Sequence, residues 1–172
     1  RFNLTQHPAM TKKGLAYDFA ITSEQLADNE HAILLEEEIL LGVPKSHPLS
    51  AQDTVFLKDL EHEKFISLTP GHSLRKTTDR FFAYTPFEPN IVFESDDPAT
   101  VRGLIQTGLG ISFIPSILWR NVVTEAIKLL SIREPRCMRT IYLSYPTGEL
   151  HTDIEKSFFE FIIGFFQDIA QH

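Results

Sequence analysis

A short stretch at residues 69–75 (TPGHSLR) combines a tight turn with the start of a helix, a pattern that can bind a small anion. Ser73 is a residue type that often caps a helix, and helical spacing continues to Tyr84. The free N–H groups and partial positive charge of a helix N-terminus attract anions, and a bound anion would also offset the unfavourable charge of Arg75 in the first turn. An ordinary capped helix with solvated basic residues is the alternative. The predicted anion ligands are Thr69, Gly71, His72 and Ser73.

Polar residues at the ends of two other predicted elements extend this candidate site. Thr22 and Ser23 follow an apolar run, and their hydroxyls could bond a carboxylate or a sulfonate, although ordinary turn residues look the same. Asp97 and Pro98 mark a helix start, and capping alone also explains the aspartates there. Ligands of open α/β sheets bind at the carboxyl ends of strands. The residues that this adds to the predicted site are Thr22, Ser23, Asp96 and Thr100.

Other kinds of chemistry find little support in the sequence. Seven histidines are present, but none forms the i, i+4 pair or the Cys-x-x-Cys companion of a common metal site. Nucleophile elbows, Walker loops and dinucleotide-binding fingerprints are missing as well. Cys137 has basic neighbours that could lower the pKa of a thiol, but an incidental cysteine is the preferred interpretation. We therefore predict no catalytic site, no metal and no cofactor.

The elements that must position these residues alternate between strands and helices. Apolar runs predict strands at residues 18–22, 33–44, 65–68, 91–94, 111–115 and 141–145. A strand is also predicted at residues 1–6, and helices at 10–17, 73–84, from Asp97 to the Gly108-Leu109-Gly110 turn, and from about 152 to 170, with a short helix through Leu57 and Leu60. The two glycines are expected to end their helix with positive φ. Such alternation predicts an α/β fold with mainly parallel strand pairing.

Composition and charge narrow the class of protein. The chain has 172 residues, 42% of them hydrophobic and 23% charged, which is ordinary for a globular protein. Its formal net charge is −7 and its basic residues are scattered, so we predict that it does not bind DNA by itself. No apolar run reaches the roughly 18 residues that span a bilayer. A start at Arg1, with the first methionine at Met10, indicates a fragment of a longer protein.

Several short segments recur in a distinctive order across nearly the whole chain. They are residues 18–21 (DFAI), 41–44 (LGVP), 47–49 (HPL), 59–60 (DL), 65–66 (FI) and 101–115 (VRGLIQTGLGISFIP). The last is the most specific, because a helix closed by Gly-x-Gly leads into an apolar strand that ends in proline. In these segments the chain resembles the effector-binding domain of LysR-type transcriptional regulators.

The resemblance implies two Rossmann-like lobes with a ligand cleft between them, as in type 2 periplasmic binding proteins. Lobe one would comprise residues 1–64 and 141–172, and lobe two residues 65–140. It also implies that the first strand, the first helix and the DNA-binding winged helix-turn-helix precede Arg1, and it places the loop from Thr69 in the cleft. Ser73 stands where peroxide-sensing members carry a reactive cysteine, so sensing by that route is disfavoured.

The terminal helix is apolar over about 200° of its circumference, against about 100° for a one-sided surface helix. A second partner must cover the excess, either a helix outside this chain or a twin subunit. The resemblance favours the twin, since this helix lines the dimer interface in the family. The predicted interface residues are Phe158, Phe161 and Phe165.

The function that follows is that of a cytoplasmic, non-enzymatic sensing domain. It would bind a small effector, for which the loop from Thr69 favours an anion, as a homodimer or higher homo-oligomer. It would make no membrane contact and would reach DNA only through the N-terminal domain. The alternatives are a solute-binding protein of the same fold and, less favoured, an enzyme built on it.

Overall fold

A computed structural model describes residues 18–148 and 152–171. Within them the strands are β1 (Ala20–Thr22), β2 (Asn29–Pro44), β3 (Thr54–Val55), β4 (Lys64–Leu68), β5 (Asn90–Ser95), β6 (Ser112–Pro115), β7 (Ile127–Ile132) and β8 (Met138–Pro146). The helices are α1 (Ser73–Phe82), α2 (Pro98–Gln106) and α3 (Asp153–Gln171), with short 3-10 turns at Pro48–Ala51, Leu57–Leu60 and Arg120–Val122. The strand predicted at residues 1–6 and the helix predicted at 10–17 lie outside the described residues.

The strands pair mostly in antiparallel fashion. One sheet has the order β1-β8-β2-β7-β3, with β6 also on β2, and only its β3–β7 pair is parallel. A second sheet joins β4 and β5 in parallel, linked by α1. The prediction of mainly parallel pairing was therefore wrong. It assumed that helical crossovers join neighbouring parallel strands throughout, whereas β2 pairs in antiparallel fashion with β6, β7 and β8, and β7 was not predicted at all.

Two separate apolar clusters divide the molecule. The large cluster draws its buried residues from the span between Ile39 and Cys137. The small cluster contains Leu34 and Leu35 of β2, Ile141 and Leu143 of β8, and one face of α3. The change from the small to the large cluster falls within β2, since residues 39–64 contribute to the large one; the lobe boundary expected at residue 64 stays a prediction. The reason for this change is the length of β2, whose first half pairs with β8 while its second half pairs with β6 and β7.

A buried ion pair lies where β2 and β8 pass from one cluster to the other. Glu37 Oε1 accepts a hydrogen bond from Nε of Arg139 over 2.7 Å and forms an ion pair with its Nη2, at 2.6 Å. Glu37 Oε2 accepts from the backbone N–H groups of Ile117 (2.9 Å) and Leu118 (3.0 Å). The two charged residues are only 1% and 9% exposed. Burial lowers the pKa of Arg139, while Glu37 opposes that shift by favouring the charged form.

The two glycines after α2 have different roles. Gly108 has a φ of +82°, so it ends the helix as expected. Gly110 is needed for a close approach instead, since a Cβ there would lie 2.5 Å from the carbonyl oxygen of Lys64. That approach lets the chain pair with β4, where the Ile111 and Ile66 N–H groups each donate across the gap. The glycines therefore position the start of β6 against β4.

Candidate functional site

Two helix N-termini lie side by side at the carboxyl ends of β4 and β5. The Thr69 N–H donates to the Ser95 carbonyl oxygen over 2.9 Å, which places the turn before α1 next to the turn before α2. Neighbouring parallel strands naturally bring such ends together. The loop predicted from Thr69 and the polar start of α2 therefore form one surface.

The start of α2 is confirmed at Asp97 and Pro98. Asp97 accepts hydrogen bonds from the N–H groups of Ala99 and Thr100, both at 3.0 Å, and these bonds together with one from the Thr100 hydroxyl hold the pKa of the Asp97 carboxyl below its usual value. The Thr100 hydroxyl donates to Asp97 Oδ2 over 2.8 Å, and Asp97 caps the helix. Asp96 is exposed beside it.

The start of α1 differs from the prediction by one residue. His72 occupies the N-cap position and Ser73 is the first helical residue, so Ser73 does not cap the helix. Gly71 precedes them with a φ of +106°, a conformation that side chains rarely adopt. The helix ends at Phe82 rather than at residue 84.

The Arg75 side chain already has hydrogen-bond and ion-pair partners within the chain. Its Nε donates to Asp79 over 2.7 Å, and its Nη1 donates to the Leu68 carbonyl oxygen over 2.8 Å and to Glu94. Although burial acts to lower its pKa, the bonds to Glu94 and Asp79 raise it above the ordinary value. The charge argument made for Arg75 was therefore wrong, because this side chain ties α1 to the ends of β4 and β5.

The end of β1 faces α1 from the other apolar cluster. Thr22 Oγ1 donates to the Glu24 carbonyl oxygen over 2.6 Å. The Glu24 carboxylate pairs with Lys76, at 3.2 Å from Nζ, and with Arg80. Ser73 lies three residues before Lys76 and hence on the same face of α1. The structure therefore brings Thr22 and Ser23 close to the face of α1 that carries Ser73.

Ser23 stands out at this junction. Its Oγ is buried and has no hydrogen-bond partner. Within residues 18–148 and 152–171, no other buried side-chain oxygen or nitrogen atom lacks such a partner. An unsatisfied buried hydroxyl costs about 1–3 kcal/mol. A ligand that bonded this oxygen would remove the cost.

The cavities lie elsewhere. An open groove of about 500 Å³ runs along α3 and is lined by Asp153, Ile154, Ser157, Phe158 and Phe161. A pocket of about 10 Å³ lies between β4, α1 and α2 and includes Arg75 and Thr78. Neither of these two is lined by the predicted effector-binding residues.

Sequence reasoning missed the most strongly connected residues at this junction. Lys76 and Arg80 have i, i+4 spacing, which does indicate a shared helix face. Their partner Glu24 has no distinguishing context in the sequence. Glu37 and Arg139 are 102 positions apart, so nothing local connects them.

The exposed part of α3 carries an apolar stripe. Ile154, Phe161 and Phe165 are 69%, 63% and 49% exposed, and Phe158 lies between them, partly buried against Phe19. The opposite face packs Ile162 and Phe166 in the small cluster. The expected excess of apolar surface is therefore present. No helix among the described residues is long and apolar enough to cross a membrane.

Within the described ranges, no group of three or more His, Cys, Asp or Glu side chains could hold a metal ion.

Cys137 is fully buried, and its thiol lies 3.4 Å from the Pro135 carbonyl oxygen. Burial, assisted by the nearby charge of Glu38, raises the pKa of the thiol to about 12. The suggestion that basic neighbours lower this pKa was therefore wrong.

We accordingly expect native Cys137 to resist alkylation by iodoacetamide at pH 8, because almost no thiolate exists there. Mass spectrometry after a timed exposure measures this, with guanidinium-unfolded chain as the positive control. Rapid labelling of the folded protein would contradict the burial.

Comparison with known proteins gives the chain a family. The family described as LysR substrate binding domain matches residues 12–167. An uncharacterized HTH-type transcriptional regulator, YybE of Bacillus subtilis, is 30% identical over 135 residues, covering 78% of this chain and 46% of the relative. The chain thus spans about half the length of the curated relatives it matches.

Solved structures agree on the fold. The effector-binding domain of QuiR in complex with shikimate is 28% identical, with a TM-score of 0.76, over 88% of this chain and 73% of that one. The CcmR regulatory domain of Synechocystis PCC6803 in complex with 2-PG is 20% identical, with a TM-score of 0.77, over 88% and 74% of the two chains. The fold is therefore of the α/β, periplasmic-binding-protein-like kind, and this chain belongs to the LysR substrate-binding domain family.

Proposed function

We propose that this domain senses a small anionic effector and thereby controls transcription as part of a longer regulator. The observation that carries the proposal is the buried, unpartnered Ser23 hydroxyl at the junction between the two packing units. It is supported by the contacts of neighbouring Glu24 with α1, by relatives that are transcriptional regulators, and by the similarity to the effector-binding domain of QuiR, solved in complex with shikimate. The regulator relatives favour this function over that of an exported solute-binding protein or an enzyme, and a role on DNA would place the protein in the cytoplasm.

The effector site that we propose retains the residues predicted from the sequence. They are Thr22 and Ser23 from one side, and Thr69, Gly71, His72, Ser73, Asp96 and Thr100 from the other. The apolar clusters support a division that differs from the first expectation: residues 18–36, 140–148 and 152–171 would form lobe one, and residues 38–138 lobe two. An effector bridging the lobes would favour one orientation, by no more than its difference in affinity for the two states.

The exposed stripe on α3 supports self-association through Phe158, Phe161 and Phe165. Soluble monomers seldom leave large contiguous apolar areas in water. In a homodimer, each residue of a symmetric interface is used twice. A change of lobe orientation would then alter how two copies present their DNA-binding segments.

Ser73→Leu should abolish the response of this chain to anions. At about 100 times its Kd, a ligand adds about 2.7 kcal/mol of stability, which corresponds to a rise in melting temperature of roughly 5–10 °C at this size. Calorimetry with sulfate, small carboxylates and sulfonates measures the rise in the parent chain. Since Ser73 is not the cap residue, the ligand-free melting temperature should change little.

A matched control is Thr107→Leu, which makes a similar change at the far end of α2. It should respond to anions as the parent does. The proposed site is wrong if no anion stabilises the parent, or if Ser73→Leu responds like the control.

A further inference from the structure

Glu24 joins the two lobes across the proposed cleft. It follows β1 in lobe one, whereas its partners Lys76 and Arg80 belong to α1 in lobe two. The pairs connect positions 52 and 56 residues apart, so they are contacts between lobes and not local helix pairs. All three side chains are partly exposed, and pairs of this kind contribute little to the stability of a fold. Their effect therefore falls on the orientation of the lobes.

Local structure presents the Glu24 carboxylate to α1. The Thr22 hydroxyl bonds the Glu24 carbonyl oxygen, and Leu26 is buried two residues further on. The backbone is thus anchored on both sides of Glu24. Its side chain reaches both cations at once, one with each carboxylate oxygen.

The same cations are the groups that an anionic effector would use. Lys76 and Arg80 share the face of α1 that carries Ser73, and the unpartnered hydroxyl of Ser23 is next to Glu24 in sequence. Arg75 is already engaged with Asp79 and Glu94. One internal carboxylate thus occupies two cations beside the proposed site.

We propose that Glu24 is an internal latch, a carboxylate that holds the lobes together in the effector-free protein and competes with an anionic effector for Lys76 and Arg80. This inference rests on the proposed effector cleft. A latch made of partly exposed ion pairs is weak enough for a ligand to open. The latch also sets which anions bind, because an anion must replace the contacts of Glu24 with both Lys76 and Arg80.

The distance between the lobes tests the latch without any ligand. Cysteines introduced at Glu88 and Gln167, both exposed and on different lobes, accept spin labels, while buried Cys137 stays unlabelled. With labelled chain diluted in unlabelled chain, Glu24→Gln should broaden the distance distribution and shift it by more than about 2 Å. The parent should approach that distribution at about 1 M NaCl, where the screening length is about 3 Å. Glu61→Gln, an equal charge change on the surface, should leave the distribution as in the parent.

Sulfate binding at constant ionic strength supplies a second readout. Glu24→Gln should tighten sulfate binding about threefold to tenfold, because it removes the competitor. Lys76→Gln breaks the same ion pair but should weaken sulfate binding by a similar factor, because it removes a cation that the anion needs. A structural role alone would move both variants in the same direction.

The outcomes separate this inference from the proposed function. Distance distributions that are identical for Glu24→Gln and the parent overturn the latch, as do equal sulfate affinities in the two proteins. Absence of any anion response in both proteins overturns the proposed function and the competition, while the distance measurement still decides whether Glu24 holds the lobes.

Discussion

Glu37→Leu is expected to lower the free energy of unfolding by about 3–5 kcal/mol. The substitution leaves the Arg139 guanidinium buried without its carboxylate, and it leaves two backbone N–H groups without an acceptor. Removing one partner of a buried pair costs far more than the pair itself contributes, because the remaining charge stays desolvated. Urea unfolding followed by circular dichroism measures the loss as a lower midpoint.

Two further variants show whether burial is the cause. The double variant Glu37→Leu/Arg139→Leu removes both charges and should recover part of the loss, though not the part due to the Ile117 and Leu118 N–H groups. Asp53→Asn breaks the exposed pair with Lys128 and should leave the midpoint unchanged. A loss below about 1 kcal/mol in Glu37→Leu, or a double variant less stable than either single one, would show that the pair is not the constraint we infer.

The Glu37–Arg139 pair lies at a place that matters for the orientation of the lobes. Glu37 and Arg139 lie where β2 and β8 cross from the small to the large cluster, and the same carboxylate holds the chain after β6. A change in lobe orientation must bend these two strands. In the proposed effector response, the buried pair would be the place about which the lobes turn, while Glu24 would act on their facing edges.

Phe161→Asp should weaken dimerisation of this chain by at least about a hundredfold while leaving each lobe folded. Burial of an aromatic side chain contributes roughly 1.5–3 kcal/mol, and the residue is used twice in a symmetric interface. Each 1.4 kcal/mol is a factor of ten in Kd. Because Phe161 is 63% exposed within one chain, the charge is tolerated in the monomer. Sedimentation velocity across a concentration series measures the change in association.

The matched control uses the opposite face of the same helix. Phe166 is buried in the small cluster, so Phe166→Asp should unfold lobe one and not merely separate two subunits. A parent chain that sediments as a clean monomer at tens of micromolar would refute the proposed interface. So would a Phe161→Asp variant that associates as the parent does.

The sequence alone determined those features that depend on neighbours along the chain. Asp97 and Pro98 marked the start of α2 correctly, since a cap residue and a proline act within one turn. The glycine at position 108 marked its end, and the 101–115 segment indicated the family to which the chain belongs. The apolar excess on α3 also followed from the periodicity of one helix.

Only the tertiary structure decided the features that depend on residues far apart in sequence. The predicted strand direction was wrong because apolar runs predict strands but not their pairing partners. That one strand, β2, contributes to both apolar clusters was likewise not visible in the sequence. The charge of Arg75 is compensated by Glu94, which is 19 positions away, and the burial of Cys137 raises the pKa of its thiol, as the preferred interpretation of an incidental cysteine allows. The ion pairs of Glu24 with α1 and of Glu37 with Arg139 could not be predicted from neighbouring residues. A pair between positions 50 or more apart depends on the path of the chain and on desolvation, and neither can be read from the sequence.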